Sequence, residues 1–494
     1  MSNDDIDGAE TFIRGLVDTS GEDQRAQFAL VQFLRQFRGP EAALEELDQM
    51  IAAAEQPLAF ERMKGAMLFD IGQREEAMAG VEALIAGSAP STERRDLQVT
   101  LARMHQATGD EAQAKALVDA VLAEDTSQVD ALVLQAGWMI EEDQVRDAIL
   151  TLRTALDQSP QNIPAINMLA AAYERDGNRD LMGEALLLAS TTSGFAPEES
   201  LRYAQFLISR EKLRSAEDVL IRSLRAQPGN VALLQALGET YLLLSDWPRV
   251  EQVIATLDRL EDDPQARDMA TALQATLLTR MQRTDESIHL LRNVIEEGRG
   301  GLAAHAAVGR AHLANGEVEP ARVYLDQVLS ENTDDESETG LLFLNAALMA
   351  VEGDYEGAQQ TYRSILEETP EAEIVWRALV ATVLRENDEM AEQEAVQILD
   401  EALVNIPESS TLLWMKASLA ERSGDVDGAI AIYEEMYENN SSSSIVANNL
   451  ASLITTHRSD EASLQQAYVI ARRLRGSDLP AFQDTYGWIA YRMG

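Results

Sequence analysis

Apolar residues recur along this chain at spacings of three and four, with a small residue at the same point of each recurrence. Such spacings predict α-helices, and no alternating pattern typical of strands competes with them. The small residue returns every 34 residues or slightly more, at Gly65, Ala102, Ala136, Ala170, Ala204, Gly238, Ala275, Gly309, Ala346, Val380, Ala417, Ala451 and Gly487. A fixed period of this length indicates stacked helix pairs rather than a single globular core.

A second series of small residues follows the first by twelve positions, and once by fifteen. Its members are Ala43, Ala77, Ala114, Ala148, Ala216, Ala321, Ala358, Ala395 and Ala429. Small side chains at both positions allow the two helices of a hairpin to cross closely and the following helix to approach.

The clearest unit is Thr339–Ala372. We expect Gly353 to end its first helix, because Gly tolerates the left-handed cap conformation. Asp354 is the expected N-cap of the second helix, and Pro370 is expected to stop that helix.

The same reasoning predicts where each unit starts. The predicted starts are Gln24, Leu58, Arg95, Val129, Ile163, Pro197, Val231, Asp268, Leu302, Thr339, Glu373, Ser410, Ser444 and Pro480. The intervals that end at Arg95, Asp268, Thr339 and Ser410 are three residues longer than the rest, and the one that ends at Pro480 is two longer. We expect the extra residues to fall mostly in turns, where insertions cost little.

These features resemble the tetratricopeptide repeat (TPR) family. The residues that carry the likeness are Leu234, Leu237, Gly238 and Tyr241, then Ala358, Tyr362 and Pro370, and then Trp376 and Leu379. The resemblance covers roughly residues 24–494 and implies about thirteen full repeats plus the first helix of another. It implies an all-α, right-handed superhelical α-solenoid of TPR hairpins. Residues 1–23 are expected to be an acidic segment with a short capping helix at about Gly8–Val17.

The C-terminal repeats resemble those of large bacterial TPR proteins. The segments Asn448–Ala451 and Asp484–Trp488 look like the closing repeats of envelope proteins of the exopolysaccharide and PEP-CTERM type. This likeness implies a periplasmic location, with the cytoplasm as the alternative. The last unit holds its first helix alone, so either the array continues beyond Gly494 or this end binds another molecule.

The charge balance restricts the class of partner. The chain has 84 acidic and 40 basic residues, for a formal net charge of −44. Such a field repels nucleic acid and anionic membranes and attracts a basic protein or peptide. The alternative is that the charge only keeps a long chain soluble. The chain has no cysteine, which excludes disulfides and thiolate chemistry, and no apolar run approaches the length of a membrane span.

No enzyme signature occurs in the sequence. A nucleophile elbow, a phosphate loop, a dinucleotide glycine fingerprint and a zinc-binding His-Glu-x-x-His motif are all missing, and we expect no cofactor. His305 and His312 lie seven residues apart on one predicted helical face, a spacing that suggests a metal pair, but they occupy positions where TPR core residues pack.

The remaining candidate site is the concave groove that TPR proteins line with their first helices. The resemblance implies that the fifth and ninth residues of each unit point inward. Near the C-terminal end these positions hold aromatic, Arg and Asn side chains that could grip an extended peptide, with Asn on its backbone and Arg on a carboxylate. The candidate residues are Phe343, Arg377, Trp414, Asn448 and Trp488, together with Arg310, Arg103 and Arg62. The alternative for each is packing between neighbouring helices.

The sequence therefore predicts a non-catalytic scaffold that binds a protein or peptide, and the C-terminal resemblance implies a bacterial envelope or a polysaccharide or secretion assembly as its setting. The alternative is an accessory or regulatory part of an enzyme whose catalytic domain lies outside this chain. The sequence leaves the oligomeric state and the identity of the partner open.

Overall fold

The computed structural model describes residues 6–20, 24–54, 57–260, 263–298, 301–331, 335–386 and 389–494. Helices occupy nearly all of these residues, and no strand occurs among them. The predicted all-α fold class is therefore confirmed, and the helices form a repeated series of hairpins.

The chain divides into two compact units, Met1–Met168 and Leu169–Gly494. The helices of the first unit are α1 (Ile6–Ser20), α2 (Gln24–Phe37), α3 (Pro40–Ala53), α4 (Leu58–Asp70), α5 (Arg74–Gly87), α6 (Thr92–Ala107), α7 (Glu111–Glu124), α8 (Val129–Glu141) and α9 (Val145–Gln158). The division between the units falls within α10 (Ile163–Arg175).

The second unit continues with the same alternation of first and second helices. Its first half contains α11 (Arg179–Thr192), α12 (Pro197–Ser209), α13 (Leu213–Ala226), α14 (Val231–Leu243), α15 (Trp247–Leu257), α16 (Pro264–Arg280), α17 (Thr284–Glu296), α18 (Gly301–Ala314) and α19 (Val318–Glu331). Its second half contains α20 (Asp335–Glu352), α21 (Tyr355–Glu368), α22 (Glu373–Val383), α23 (Glu389–Asn405), α24 (Ser410–Ser423), α25 (Val426–Asn439), α26 (Ser444–His457), α27 (Glu461–Ala471) and α28 (Pro480–Met493). Short 3₁₀ helices occur at Leu384–Glu386 and Arg472–Leu474.

Most first helices begin at the residue predicted from the repeat. These starts are Gln24, Leu58, Val129, Ile163, Pro197, Val231, Glu373, Ser410, Ser444 and Pro480.

The expectation that the extra residues fall mostly in turns is wrong. Helices α6, α16 and α20 begin three or four residues before the predicted starts and contain 16, 17 and 18 residues, whereas α8 and α10 contain 13. Before Ser410, the second helix α23 has 17 residues. When residues are added to the end of a helix, their backbone N–H and C=O groups form further helical hydrogen bonds. In a turn the same backbone groups would lack these bonds.

The unit Thr339–Ala372 shows how the sequence defines a hairpin. Gly353 has φ of +91°, the left-handed conformation that was predicted to end the first helix. The Asp354 carboxylate accepts a hydrogen bond from the backbone N–H of Gly357 at 3.0 Å, which confirms its role as N-cap of α21. Pro370 follows the end of α21 at Glu368, as expected.

Most of the recurring small residues are buried where helices cross, whereas Gly487 is exposed and Ala275 is half-buried. At Gly238 an added Cβ would lie 2.8 Å from Cδ1 of Leu273, and at Gly65 it would lie 3.3 Å from Cγ2 of Val81. The steric reason predicted for small residues therefore applies at these crossings. It does not apply at Gly309 or Gly487, where a Cβ would have no neighbour within 4 Å.

The core runs from helix to helix through each unit. One cluster extends from α12 to α16 and includes Leu220, Leu233 and Leu257, all with no exposed surface. Each hairpin thus buries its apolar face against the next, as expected of a solenoid. No helix in the described ranges combines the length and apolar character needed to cross a membrane.

A substitution at a crossing position tests this packing. Ala216 in α13 has no exposed surface. We expect Ala216→Leu to lower the free energy of unfolding by about 1–3 kcal/mol, because the larger side chain forces neighbouring helices apart. The measurement is urea unfolding followed by circular dichroism.

The matched control is Ala255→Leu, at an exposed position of α15. Its effect should stay within about 0.5 kcal/mol of wild type. Equal losses of stability in the two variants would contradict the proposed packing role of the small residues.

Candidate functional site

Several pairs of successive first helices lie directly against one another. In the second unit α12 contacts α14, α14 contacts α16, α18 contacts α20, α20 contacts α22 and α26 contacts α28; in the first unit α6 contacts α8. Within the described ranges, successive second helices make no comparable contact. Because a curved stack packs most closely on its inner side, the first helices form what we call the inner wall of each unit.

The predicted site residues all lie on first helices, and most of them are exposed. The exposed residues are Arg62, Arg103, Arg310, Arg377, Trp414 and Trp488, whereas Phe343 and Asn448 are half-buried.

Phe343 and Asn448 are held by packing and hydrogen bonding within the repeats. The Phe343 ring lies 5.8 Å from the buried Tyr362 ring, at an interplanar angle of 48°. The Asn448 amide donates to Oδ1 of Asn449 at 3.2 Å, and Asn449 in turn donates to the Tyr433 hydroxyl at 3.0 Å. These two residues therefore present little free surface to a partner.

Tyr433 links this amide pair to a carboxylate. Its hydroxyl donates to Oε1 of Glu421 at 2.8 Å. Burial raises the pKa of Tyr433 to about 12, and the hydrogen bond to Glu421 acts in the same direction. The tyrosine is therefore neutral at physiological pH and serves as a fixed support for Asn449.

The arginines of the inner wall differ in their partners. Arg103 forms an ion pair with Asp130 on the next first helix, at 2.9 Å, so its charge is already engaged. Within the described part of the chain, no carboxylate forms an ion pair with Arg62, Arg310 or Arg377. Their guanidinium groups are therefore available to an acidic group of another molecule.

Trp414 borders a cavity of about 400 Å³ on the inner wall. Its side chain is 42% exposed, and the adjacent Ile445 on the next first helix is 57% exposed. The cavity is lined by Ser410, Thr411, Trp414, Met436, Asn440, Ser443, Ile445 and Val446. An apolar side chain of a partner can be buried here between α24 and α26.

The other predicted members of this cluster do not line the Trp414 cavity. Phe343, Arg377, Asn448 and Trp488 are absent from its walls. They lie on other first helices, α20, α22, α26 and α28, so the structure arranges them along the inner wall rather than around one point.

A larger groove lies around Arg310, with a volume of about 730 Å³. Two first helices form its sides, and Leu291 and Val294 of α17 form its floor. The sides are Gln265, Asp268, Met269, Thr271, Ala272, Ala275 and Thr276 of α16, with Ala304, Ala307 and Arg310 of α18. Sequence reasoning identified only Arg310. The available signal was the three-residue spacing of alanines on both helices.

Trp488 belongs to an exposed aromatic group at the end of α28. Its ring is 47% exposed and stacks on Tyr491 at 5.8 Å. Arg492 lies 5.9 Å from the Trp488 ring centre and donates to the carbonyl of Thr455 at 2.8 Å. The group presents aromatic surface next to a positive charge, which suits contact with a polypeptide.

The histidines make separate contacts. His305 Nδ1 lies 2.8 Å from the Tyr324 hydroxyl, whereas His312 Nδ1 lies 2.8 Å from Oε2 of Glu317. Burial lowers the pKa of His305 and raises that of Tyr324 to about 12, so both are neutral at pH 7. No group of three or more potential metal ligands occurs among the residues that the structure describes.

The exposure of the inner-wall tryptophans is directly measurable. Trp414 and Trp488 are 42% and 47% exposed, whereas Trp138 and Trp376 are 5% and 4% exposed. We therefore expect replacement of both Trp414 and Trp488 by Phe to remove most of the fluorescence that acrylamide quenches. The control Trp376→Phe should lower the intensity without lowering the quenching constant. An unchanged quenching constant in the double variant would contradict this placement.

Comparisons with known proteins agree with this repeat architecture. Residues 391–444 match the tetratricopeptide repeat family model. This segment runs from α23 to the start of α26 and includes the α24–α25 hairpin with Trp414. No curated protein matches the chain.

Several solved structures share low overall similarity with the chain. A tetratricopeptide repeat protein from Parabacteroides merdae is 14% identical, with a TM-score of 0.35, over 50% of this chain and 96% of that one. Naa15/Naa10 bound to HypK-THB gives 14% identity and a TM-score of 0.30 over 76% and 68% of the two chains. The APC/C hetero-tetramer Cut9-Hcn1 is 13% identical, with a TM-score of 0.28, over 91% of this chain and 93% of that one.

The repeat geometry of the matched segment continues beyond it in both directions. The buried small residues, the N-capped second helices and the regular helix starts recur on both sides of residues 391–444. Residues 391–444 therefore match tetratricopeptide repeats, and they lie within a longer array of similar helical hairpins.

Proposed function

We propose that the protein is a non-catalytic scaffold that binds a protein or peptide along the inner wall of its second unit. The observation that supports this function best is the exposed Trp414 beside an apolar cavity, one first helix away from Arg377. Exposed Trp and Arg side chains supply a large share of the binding energy at protein interfaces.

The chemistry of the inner wall defines the expected ligand. The cavity walls of Trp414, Met436 and Ile445 favour an aliphatic or aromatic side chain. The Arg377 guanidinium favours a carboxylate, either a side chain or a chain end, because it can form two parallel hydrogen bonds to it. The peptide is thus held by one apolar anchor and one charged anchor, which fixes its direction.

The net charge of −44 favours a partner that is basic overall. The long-range field of the chain attracts such a partner and raises its rate of association, whereas short-range contacts at Trp414 and Arg377 keep it bound. We therefore propose a basic protein or peptide that carries a local carboxylate. This field also opposes binding to nucleic acid or to an anionic membrane.

The partner's identity would decide between the two roles considered from the sequence. A catalytic partner would indicate an accessory or regulatory part of an enzyme, and a structural or secreted partner would favour an assembly scaffold. The periplasmic location, with the cytoplasm as alternative, remains a prediction from the C-terminal resemblance.

The inner wall is tested by affinity capture from an extract of the source organism, followed by mass spectrometry and titration of the captured protein. We expect Trp414→Ala combined with Arg377→Ala to weaken binding at least about tenfold, which corresponds to about 1.4 kcal/mol. Association should also slow as the salt concentration rises, because salt screens the attraction between an acidic scaffold and a basic partner.

A matched control places the same kinds of change on second helices. Val404 is 82% exposed on α23, and Arg363 is exposed on α21. The variant with Val404→Ala and Arg363→Ala should bind like wild type, and both double variants should keep wild-type helicity. If the inner-wall variant retained full affinity, or the control lost as much, the inner wall would not be the binding surface.

A further inference from the structure

Two segments that are far apart in sequence meet within the second unit. Asp176 follows α10, whereas Arg475 and Asp478 lie between α27 and α28. Oδ2 of Asp176 accepts a hydrogen bond from Arg475 at 3.0 Å, across 299 residues. Oδ2 of Asp478 accepts hydrogen bonds from Arg179 at 2.6 Å and from Arg210 at 2.7 Å. The early and late helices of the unit are therefore joined directly.

The two sides of this contact are reciprocal. Each side supplies one carboxylate and two guanidinium groups, since Nε of Arg472 also lies 3.8 Å from Asp176. Each carboxylate is thus held by two arginines from the opposite side. We call this set the clasp: Asp176, Arg179 and Arg210 on one side, with Arg472, Arg475 and Asp478 on the other.

Two buried arginines support the clasp from beneath. Arg175 and Arg473 are 7% and 8% exposed, and both donate hydrogen bonds to the backbone carbonyl of Ser441. Their guanidinium carbons lie 5.8 and 5.2 Å from the centre of the Tyr437 ring. Burial, a shared acceptor and an aromatic face fix both side chains, which distinguishes this contact from a chance pairing of surface charges.

The backbones also approach each other closely at this point. A Cβ on Gly177 would lie 2.7 Å from the carbonyl oxygen of Arg472, and a Cβ on Gly476 would lie 2.2 Å from the carbonyl oxygen of Gly177. Gly177 has φ of +68° in addition. The contact therefore requires glycine on both sides.

The sequence departs from its repeat at the same place. Helices α26 and α28 begin at Ser444 and Pro480, two residues further apart than the usual period of 34. The intervening segment forms the 3₁₀ helix Arg472–Leu474 and the turn that carries Arg475 and Asp478. The irregular part of this repeat thus supplies one whole side of the clasp.

Charge gives the clasp a physical role. The chain carries a net charge of −44, so successive turns of an acidic superhelix repel each other. At the clasp the two aspartates are outnumbered by six arginines: the four that form its ion pairs and the two buried ones beneath them. We propose that the clasp holds the second unit closed against this repulsion, and that loss of its ion pairs opens the unit.

The absence of cysteine makes the experiment direct. Spin labels on Glu184→Cys and Asp484→Cys, at exposed positions of α11 and α28, report the distance across the clasp by pulsed electron resonance. We expect the labelled parent to show one narrow distance. Asp176→Arg with Asp478→Arg should lengthen and broaden it by about the 8–10 Å that separates packed helices.

A second variant and a charge-matched control complete the test. Gly476→Ala should also lengthen the distance without changing any charge. The control reverses Glu394 and Asp400 to Arg, which breaks ion pairs with Arg363 and Lys416 between neighbouring helices and changes the net charge equally. It should keep the parent distance, and all variants should keep parental helicity. The proposal is overturned by a broad distribution in the parent, by unchanged distances in both clasp variants, or by an equal shift in the control.

Discussion

The burial of each helical hairpin against its neighbours is the interaction on which the rest of the structure depends. Ala216, Ala358 and Ala429 have no exposed surface, and Gly238 has no room for a methyl group beside Leu273. Small side chains there bring the helices close enough for larger residues such as Tyr362 and Tyr433 to be buried between them. Once this spacing is set, the first helices must lie side by side, and the residues on their free face become a continuous surface.

Electrostatic interactions act on top of this packing without determining it. Ion pairs such as Arg363–Glu394 and Lys115–Glu142 bridge neighbouring helices, but their side chains are 37–46% exposed. Exposed pairs of this kind contribute roughly 0.2–1 kcal/mol each. The acidic excess therefore affects solubility and the approach of partners, whereas the fold follows from apolar burial. The clasp differs from these exposed ion pairs because two buried arginines, Arg175 and Arg473, lie beneath it.

The sequence predicted the features that repeat and missed those that depend on several repeats at once. Starts such as Val231 and Ser410 followed from the period, and Asp354 followed from N-cap chemistry. The sequence also placed Trp414 on the concave face of a first helix, with packing between helices as the alternative, and its side chain is 42% exposed. The ion pair of Arg103 with Asp130 was not foreseen, because it depends on how two successive hairpins are aligned.

Contacts between distant repeats were still harder to predict from the sequence. The pairing of Asp176 with Arg475 depends on a small rotation at every intervening hairpin, and those rotations accumulate over 299 residues. No local pattern encodes their sum. Likewise the groove floor at Leu291 and Val294 appears only when α16 and α18 are placed on either side of α17.

The clasp also changes how the second unit distributes its stability. In an open array each hairpin touches only the hairpins next to it, so terminal hairpins unfold at little cost to the middle. A bond between Asp478 and Arg210 joins the two ends of that series. If any hairpin between them melts, the ends lose their alignment and the bond is lost as well. Every intervening hairpin therefore shares in the stability of a contact that it does not touch, and the unit gains cooperativity that nearest-neighbour packing alone does not provide.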